Sequence, residues 1–331
     1  MIRTLVWGTL LYTGGLLLLL LLSRLGIDAW WVALPNIIAP FLFLPLVLLV
    51  PSGVWVRPGT PFSRPYLLCV GVLAVVFVVL FGGRFLPRSP VTGAEDDATL
   101  RVMTFNHLYV NRDLEAIKKT ILRQDADLVA LQELTPEVAA MVRREFRTRY
   151  PYQQLRPLDR SSTKGVGLLS RFPLSNVAYD DDYGGQHVTV QIGERYLKLI
   201  NLHLMIPFGG RGSGRALAFD PGVRARQLEK LKLAVEAAPE LEGLIVVGDF
   251  NLSDRESGYR DLADLMTDAY RSTRRGFGLT FPTGRAYGGV PLPLLARLDY
   301  VWLKGLEPLS AHRDCRSGSD HCAVIADVRL P

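Results

Sequence analysis

Long stretches without charge occupy the first quarter of this chain, and amphipathic stretches follow them. Residues 4–23, 29–50 and 66–83 contain no charged side chain. Each is close to the roughly 20 apolar residues that an α-helix needs to cross a hydrocarbon core about 30 Å thick. The pattern therefore predicts three transmembrane helices at these positions.

Two of these stretches have alternative interpretations. The first also fits a cleavable signal peptide, because Arg3 precedes it, but its apolar core is long and no small-residue cleavage site follows. The second contains Pro35, Pro40 and Pro45. We expect a kinked helix there, whose freed carbonyl groups are satisfied by neighbouring helices.

Three spans place the two termini on opposite sides of the membrane. Arginines near the span ends give no majority for either orientation, and the compact loop with Arg57 and Arg64 favours a cytoplasmic N-terminus. Residues 87–98, PRSPVTGAEDDA, have the composition of a juxtamembrane linker. The prediction is a multi-pass protein of the cell membrane, with residues 99–331 as an extracytoplasmic domain.

From residue 99 onward, short apolar runs alternate with amphipathic stretches, which is the pattern of an α/β fold. Helices are predicted at RDLEAIKKTILRQ, PEVAAMVRREF and RARQLEKLKLAVEAA, the last with Asp220 as N-cap and Pro221 in its first turn. The predicted strands are LRVMTFNHL, ADLVALQEL, KGVGLLSR, HVTVQI, YLKLINLHL, LIVVGDF, LDYVWL and HCAVIADV.

Polar residues with catalytic potential recur at the ends of these strands. They are Asn106, Glu133, His203, Asp249, Asn251, Asp299, Asp320 and His321. Each has an ordinary alternative: Asn106 as a turn former, for example, or Asp299 as a structural partner of Arg297. Strand ends in a twisted α/β fold converge on one edge, however, and ligands bind at such edges. The pattern favours one shared site.

Composition and charge exclude few functions. The net charge of +6 is mild for 331 residues and does not require a nucleic-acid partner. Three cysteines are present, and no spacing among them is typical of a structural zinc site. Cys315 and Cys322 either form a disulfide outside the cytoplasm or remain two buried thiols.

Seven short motifs resemble the endonuclease/exonuclease/phosphatase superfamily in their order along the chain. They are TFN, LQE, GLLSRFPL, NLHL, GDFN, RLDYVWL and SDH, and they cover nearly all of residues 99–331. The segment TFP at 280–282, followed by LPLLARLDYVWL, resembles the membrane-anchored bacterial branch. GDFNLSD and RLDYVWL differ from the signatures of inositol-polyphosphate phosphatases, which argues against those substrates.

The resemblance implies a deoxyribonuclease-like four-layer α/β/β/α sandwich that hydrolyses phosphate esters with Mg²⁺ or Mn²⁺. Oxygen-rich ligands without cysteine suit such hard cations. The implied metal ligands are Glu133, with Asn106 beside it, and Asp320 through water. The implied catalytic residues are His203 near the phosphate, Asp249 orienting the attacking water, Asn251 donating to a phosphoryl oxygen, and His321 as base with Asp299 orienting its ring. Whether Asp249 or His321 is the base stays open.

Three functions follow as hypotheses. The first is a membrane-tethered phosphodiesterase acting on DNA or RNA, and the second is a sphingomyelinase-like or phospholipase-C-like hydrolase of lipid headgroups. The third is a catalytically idle module that binds a phosphorylated ligand or a partner protein, although no feature of the sequence implies a particular protein partner. The Gly- and Arg-rich segment 205–219 either contacts lipid or a polynucleotide, or is a surface loop.

Overall fold

The computed structural model describes residues 2–27, 29–56, 59–86, 99–158, 164–207, 220–238, 243–284, 286–287 and 290–330. The chain clusters into two compact units, one holding the N-terminal helices and the other nearly all residues from 99 onward. The predicted linker at 87–98 and most of the Gly- and Arg-rich segment, residues 208–219, lie outside the described residues.

Four helices form the N-terminal unit: α1 (Ile2–Arg24), α2 (Trp30–Ile37), α3 (Leu46–Ser52) and α4 (Ser63–Phe81). Helices α1 and α4 are each long and apolar enough to cross a membrane. The second predicted span is broken rather than kinked, because α2 and the segment Ala39–Ser52 meet at 79°. The described residues thus hold two candidate spans, or three if the bent pair crosses as one.

Prolines account for the break in the second span. Pro40 lies at the start of a short 3-10 segment, Ala39–Phe43, and Pro45 is the N-cap of α3. Proline has no N–H group to donate to the preceding turn, so a helix ends more readily at each of these positions.

Fourteen strands and five helices are seen in the described part of the second unit. The strands are β1 (Thr99–Asn106), β2 (Leu128–Gln132), β3 (Tyr152–Arg156), β4 (Val166–Ser170), β5 (Leu174–Asp180), β6 (Gly185–Ile192), β7 (Arg195–His203), β8 (Leu244–Asp249), β9 (Thr267–Asp268), β10 (Ala286–Tyr287), β11 (Val290–Pro291), β12 (Asp299–Lys304), β13 (Glu307–Asp314) and β14 (Ala323–Arg329). The helices are α5 (Leu114–Gln124), α6 (Pro136–Glu145), α7 (Gly222–Glu236), α8 (Ser257–Leu265) and α9 (Ala269–Thr273).

Two six-stranded sheets are built from these strands. The first has the order β13-β14-β1-β2-β4-β3, and the second has the order β5-β6-β7-β8-β12-β9. β1 runs parallel to β2, and β7 runs parallel to β8. β14 and β12 run antiparallel to β1 and β8, so they begin at the edge where those two strands end.

Three apolar clusters hold the layers together. The central one contains residues from both sheets, such as Val102, Leu199 and Val247, so the sheets pack face to face. A second joins the outer face of the first sheet to α5 and α6, and a third joins the outer face of the second sheet to α7 and α8. The predicted α/β/β/α sandwich is confirmed.

Local boundaries differ slightly from the sequence pattern. Pro136 is the first residue of α6, as predicted, and Thr135 caps the helix through its hydroxyl. Helix α7 begins one residue later than predicted, because Pro221 is its N-cap. Asp220 accepts a hydrogen bond from the N–H of Gly222 at 2.8 Å and so stabilises the turn that leads into the helix.

Candidate active site

Side chains alternate between the two faces of each strand. This alternation places polar residues at one end of the space between the sheets. In β1, Leu100 and Val102 belong to the central core, and Asn106 lies on the same face two steps further on. In β7, Leu199 precedes His203 on the corresponding face. The period of two residues therefore places the last side chain of each strand beside the opposite sheet.

A layer of hydrogen-bonded amides separates this polar end from the apolar core. The Nδ2 group of Asn201 donates to the carbonyl oxygens of Leu131 and Gly167, and the Nε2 group of Gln132 donates to Asn201 Oδ1 at 2.7 Å. Gln132 also bonds the Thr104 hydroxyl. Because these buried groups have partners in both sheets, they fix the distance between the sheets directly beneath the site.

Asn106 links two carboxylates that come from different sheets. Its Nδ2 atom lies 3.1 Å from Glu133 Oε1 and 3.0 Å from Asp249 Oδ2. Its Oδ1 atom accepts from the N–H of Leu108 at 3.0 Å, which fixes the orientation of the amide. In this orientation Asn106 is a donor to both acids, so the metal-ligand role implied for it stays a prediction.

Glu133 follows β2 in a left-handed backbone conformation, with φ of 57°. Such a conformation is unfavourable for a side chain of this kind and is concentrated at functional sites. It allows Glu133 Oε2 to accept from the N–H of Tyr109 at 2.7 Å. The carboxylate is thus held from both sides, by Tyr109 and by Asn106.

Two histidines approach the same acids. His203 Nε2 is 3.9 Å from Glu133 Oε1 and 3.6 Å from Asp249 Oδ2. His321 Nε2 is also 3.6 Å from Asp249 Oδ2. A continuous set of neighbours, with no step longer than 3.9 Å, therefore runs from Glu133 to His321.

Asp299 orients the ring of His321. Its Oδ2 atom lies 2.9 Å from His321 Nδ1, and both side chains are buried. Burial lowers the pKa of His321, but the carboxylates of Asp299 and Asp249 outweigh it and raise that pKa to about 10. The Nδ1 proton is therefore firmly held toward Asp299, and Nε2 faces Asp249.

The alternative role for Asp299, as a partner of Arg297, is wrong. The buried guanidinium of Arg297 bonds Asp268 instead and lies over the ring of Tyr300, 4.5 Å from its centre. Asp299 and Arg297 are two residues apart in sequence, but Asp299 bonds His321 in the site and Arg297 belongs to a separate buried ion pair with Asp268.

Gly248 explains the turn in the GDFN motif. Its φ is 147°, and a Cβ atom on it would lie 1.9 Å from the carbonyl oxygen of Leu202. Only glycine allows β8 to approach β7 so closely at this point. Asn251 then adopts φ of 46°, and its backbone N–H donates to Asp249 Oδ1 at 2.9 Å.

The side chain of Asn251 has a structural role. Its Nδ2 atom donates to the carbonyl oxygen of Leu204 at 2.9 Å, which joins the two segments that leave β7 and β8. The buried side chain of Arg224, in α7, bonds the carbonyl oxygen of Asn251. The contact between Asn251 and a phosphoryl oxygen stays a prediction.

Hydroxyl groups that the sequence pattern did not single out support the site. The Ser319 hydroxyl donates to the carbonyl oxygen of Asn106 at 2.7 Å and accepts from the N–H of His321 at 3.0 Å. The Thr280 hydroxyl accepts from the N–H of Asp299 at 3.3 Å. Both residues lie in loops, where no periodicity marks them. Ser319 is the first residue of the SDH motif and Thr280 is the first residue of the TFP segment, but the motifs alone gave neither hydroxyl a role.

The donor set fits a hard divalent cation. Glu133, Asp249, Asp299 and Asp320 bring four carboxylates into or beside the cleft, against two imidazoles, and the described residues offer no cysteine there. Asp249, Asp299 and His321 have donor atoms within 4.8 Å of one another. Asp299 Oδ2 is bonded to His321 and its side chain is fully buried, whereas the side chain of Glu133 is 13% exposed, so Glu133 is the acid most accessible to an ion from solvent.

The structure brings six of the eight predicted residues into direct contact with one another. These are Asn106, Glu133, His203, Asp249, Asp299 and His321. Asp320 is buried beside His321, and its charge contributes to the raised pKa of that ring. Asn251 contacts Asp249 through its backbone.

Carboxylates and imidazoles from both sheets of the sandwich are thus gathered where the strands end, an arrangement that suits hydrolysis of phosphate esters. The sequence profile of the endonuclease/exonuclease/phosphatase family matches residues 103–321. The chain belongs to this family, whose members are phosphoester hydrolases.

Solved structures with the same fold include proteins of several activities. D. rerio TDP2, complexed with a single-strand DNA product, has a TM-score of 0.57 and 17% identity, covering 71% of this chain and 100% of that one. A family protein from Bacteroides vulgatus has a TM-score of 0.55 and 17% identity, covering 71% and 100%. Sphingomyelinase C from Streptomyces griseocarneus has a TM-score of 0.51 and 22% identity, covering 70% and 99%. No curated protein matches the chain in sequence. At these identities the likeness concerns the fold.

Proposed function

We propose that this chain is a membrane-tethered phosphodiesterase that depends on a divalent metal, with Mg²⁺ or Mn²⁺ as the ion. The observation that carries the proposal is the set of contacts from Glu133 through Asn106 and Asp249 to His321, which draws on both sheets. The two long apolar helices, α1 and α4, support the tether.

The residues divide into two groups by the chemistry that each can perform. Glu133, with Asn106 beside it and Asp320 through water, would hold the ion. When bound, the ion polarises the phosphoryl group and offsets the charge that grows in the transition state. His203 lies where it can contact the phosphate, and Asn251 is proposed to donate to a phosphoryl oxygen.

The attacking water is proposed to lie between Asp249 and His321. Asp249 Oδ2 and His321 Nε2 are 3.6 Å apart, so one water can approach both groups. The proton of the water passes to Asp249 while His321 is an imidazolium, or to His321 Nε2 once that ring has lost a proton. Asp299 holds the His321 ring with Nε2 toward the water, as a carboxylate does in a serine protease triad.

The test is hydrolysis of a simple diester, bis(p-nitrophenyl) phosphate, by the full-length chain in detergent micelles. We expect release of p-nitrophenol with Mg²⁺ or Mn²⁺ and loss of release with EDTA, because the acids need a cation to bind the phosphate. Asp299→Asn should lower kcat by roughly 10²-fold to 10⁴-fold, since an amide favours the wrong tautomer of His321.

A matched control is His312→Gln, which changes a histidine in β13 that bonds Gln124 instead of a site residue. This variant should keep the parental kcat. Absence of hydrolysis of this diester, of DNA, of RNA and of phospholipid headgroups with either metal would contradict the proposal and favour an idle binding module.

DNA and RNA are the first natural substrates to test, but one observation favours lipid headgroups as a second candidate. Tyr109 and Val110 are 45% and 42% exposed in the loop whose backbone bonds Glu133. Met205 and Ile206 are 39% and 50% exposed directly after His203. Four apolar side chains on two loops beside a phosphate site suit a lipid surface better than a polynucleotide backbone.

Substitution of the apolar loops distinguishes the two substrate classes. In the variant with Val110→Ser and Ile206→Ser, headgroup release from sphingomyelin or phosphatidylcholine vesicles should fall at least tenfold or so, while the soluble diester is cleaved as before. Equal release by the parent and the variant would contradict the lipid assignment.

A further inference from the structure

The loop that joins β13 to β14 carries Asp320 and His321 and is closed by a disulfide. Asp314 pairs with Ala323 as the last pair of the β13–β14 ladder. Cys315 and Cys322 stand directly beyond that pair and are joined to each other, with their Cα atoms 4.1 Å apart. Of the two states that the sequence left open for these cysteines, the structure has the disulfide.

Hydrogen bonds and an ion pair between the exposed Arg316 and Asp314 provide the other restraints on this loop. Ser317 Oγ donates to the carbonyl oxygen of His321 at 3.0 Å, and Ser319 contacts Asn106 and the His321 N–H as described above. Gly318, at the tip, is exposed and has φ of 71°. Each such hydrogen bond contributes only about 1 kcal/mol to the folded conformation, so the covalent closure is the strongest restraint on the loop.

The disulfide acts at the residue next to His321. The N–H group of Cys322 donates to the carbonyl oxygen of Thr280 at 2.9 Å, and the Thr280 hydroxyl accepts from the N–H of Asp299. One short segment therefore anchors both members of the Asp299–His321 pair, which come from different sheets. A shift of the Cys322 backbone changes the distance between Asp299 and His321.

We propose that the Cys315–Cys322 disulfide positions His321 for the hydrolytic step, so that turnover depends on the oxidised state of this pair. The inference rests on the proposed phosphodiesterase function. Its physical reason is that a misplacement of about 1 Å at a reacting group lowers turnover by roughly 10²-fold. The two cysteines are thus positioning residues, which act through His321.

Oxidation of the two cysteines requires a disulfide as oxidant, and reduction of their disulfide requires a reductant. When the bond forms, each thiol loses a proton, and two electrons pass to the disulfide of an oxidant, which becomes a dithiol. When a phosphine reduces the bond, its phosphorus gains an oxygen atom from water and the two sulfurs gain hydrogen. Cys315 is partly exposed whereas Cys322 is fully buried, so the reductant reaches the Cys315 sulfur.

The test compares the oxidised and reduced full-length chain in detergent micelles, with excess Mg²⁺ and bis(p-nitrophenyl) phosphate. Reduction with tris(2-carboxyethyl)phosphine should lower kcat by roughly tenfold or more and change KM less than about twofold. Oxidised glutathione should restore kcat. Far-UV circular dichroism should stay unchanged throughout, because the ladder of β13 and β14 does not need the disulfide.

Variants separate the disulfide from other effects of the reductant. The double variant with Cys315→Ser and Cys322→Ala should have the kcat of the reduced chain and no response to the phosphine. Cys69→Ala, which changes a cysteine in α4 that is not disulfide-bonded, should respond as the parent does.

A spectroscopic measurement keeps this inference separate from the proposed function. The Nδ1 proton of His321, bonded to Asp299, should give a downfield proton resonance that is absent in His321→Gln and that broadens or shifts on reduction. Unchanged kcat and an unchanged resonance after complete reduction, verified by thiol titration, would overturn the inference. Collapse of the circular dichroism on reduction would also overturn it, since the disulfide would then maintain the fold. If the oxidised chain cleaves no diester, the proposed function fails, and the resonance alone decides the positioning role.

Discussion

Hydrogen bonding distinguishes one buried histidine from the buried residues of the site. His107 is adjacent to Asn106 in sequence, but its side chain is fully buried, with its ring 6.5 Å from that of Phe105. Neither ring nitrogen makes a hydrogen bond to a described residue. Burial lowers the pKa of His107 to about 4.

This lowered pKa predicts a loss of stability in mild acid. The ordinary pKa of histidine, about 6.5, applies to the unfolded chain. As the pH falls below 6.5, the unfolded chain binds a proton that the folded chain does not bind until about pH 4, so the free energy of unfolding decreases across that window. Between pH 7 and pH 5 the decrease from His107 is about 2 kcal/mol.

His107→Phe should remove this dependence and should also relieve the unpaired ring nitrogens. Urea denaturation of the parent and the variant at pH 7 and pH 5 measures the effect. The variant should be at least as stable at pH 7 and more stable than the parent by about 2 kcal/mol at pH 5. An equal decrease for both proteins would show that His107 is not the group responsible.

At the same scale, the sequence predicted where the site residues lie but not how they are held. Strand-end position and the period of two were sufficient to group Asn106, His203 and Asp249. The left-handed backbone at Glu133 and the hydroxyl support from Ser319 depend on contacts between residues far apart in the chain. No local pattern contains that information.

At the scale of elements, the strands that the pattern missed lie at sheet edges. β13 and β3 are the edges of the first sheet, β5 and β9 are the edges of the second, and β10 and β11 form a separate two-stranded sheet. The alternating and continuous apolar runs that predict strands come from burial on one or both faces, and β3 and β5 are only partly buried along their length. The central strands, which position the site, were all predicted.

The contact between β7 and β8 gives a prediction at this scale. Gly248→Ala should cost at least about 3 kcal/mol in the free energy of unfolding, because its Cβ would collide with the Leu202 carbonyl group and force the two strands apart. Asp249 follows directly, so turnover should fall as well. Chemical denaturation and diester hydrolysis measure the two effects.

Gly193→Ala is the matched control. Gly193 also has a positive φ, of 61°, but nothing lies within 4 Å of the position of its Cβ. It should therefore cost only about 1 kcal/mol, from backbone strain, and should leave turnover unchanged. Equal effects of the two substitutions would show that backbone conformation, and not the collision, makes Gly248 necessary.

At the scale of the whole molecule, the number of spans determines on which side of the membrane the active site lies. A disulfide between Cys315 and Cys322 is typical of an oxidising compartment, so we propose that the domain from residue 99 onward lies outside the cytoplasm. With a cytoplasmic N-terminus, an odd number of crossings is needed, so α2 and α3 must together form one span. Composition predicted the apolar stretch, and its three prolines indicated a kink, but not a break as sharp as 79°.

Fusion reporters at each end of the chain test this topology. A C-terminal alkaline phosphatase, which folds only outside the cytoplasm, should be active, and a fluorescent protein on the N-terminus should be protected from external protease. Exchanging the two reporters serves as the control. If both termini prove to be outside, the bent pair re-enters the membrane without crossing it.

The division of the site between the two sheets has a consequence for how activity fails. Asn106 ends β1 and Glu133 follows β2, both in the first sheet, whereas His203 and Asp249 end strands of the second. Neither sheet alone carries the complete set of groups. We therefore expect a small displacement of one sheet relative to the other to abolish hydrolysis while each sheet stays intact. The rate of hydrolysis is thus more sensitive to the alignment of the two sheets than a measurement of secondary-structure content.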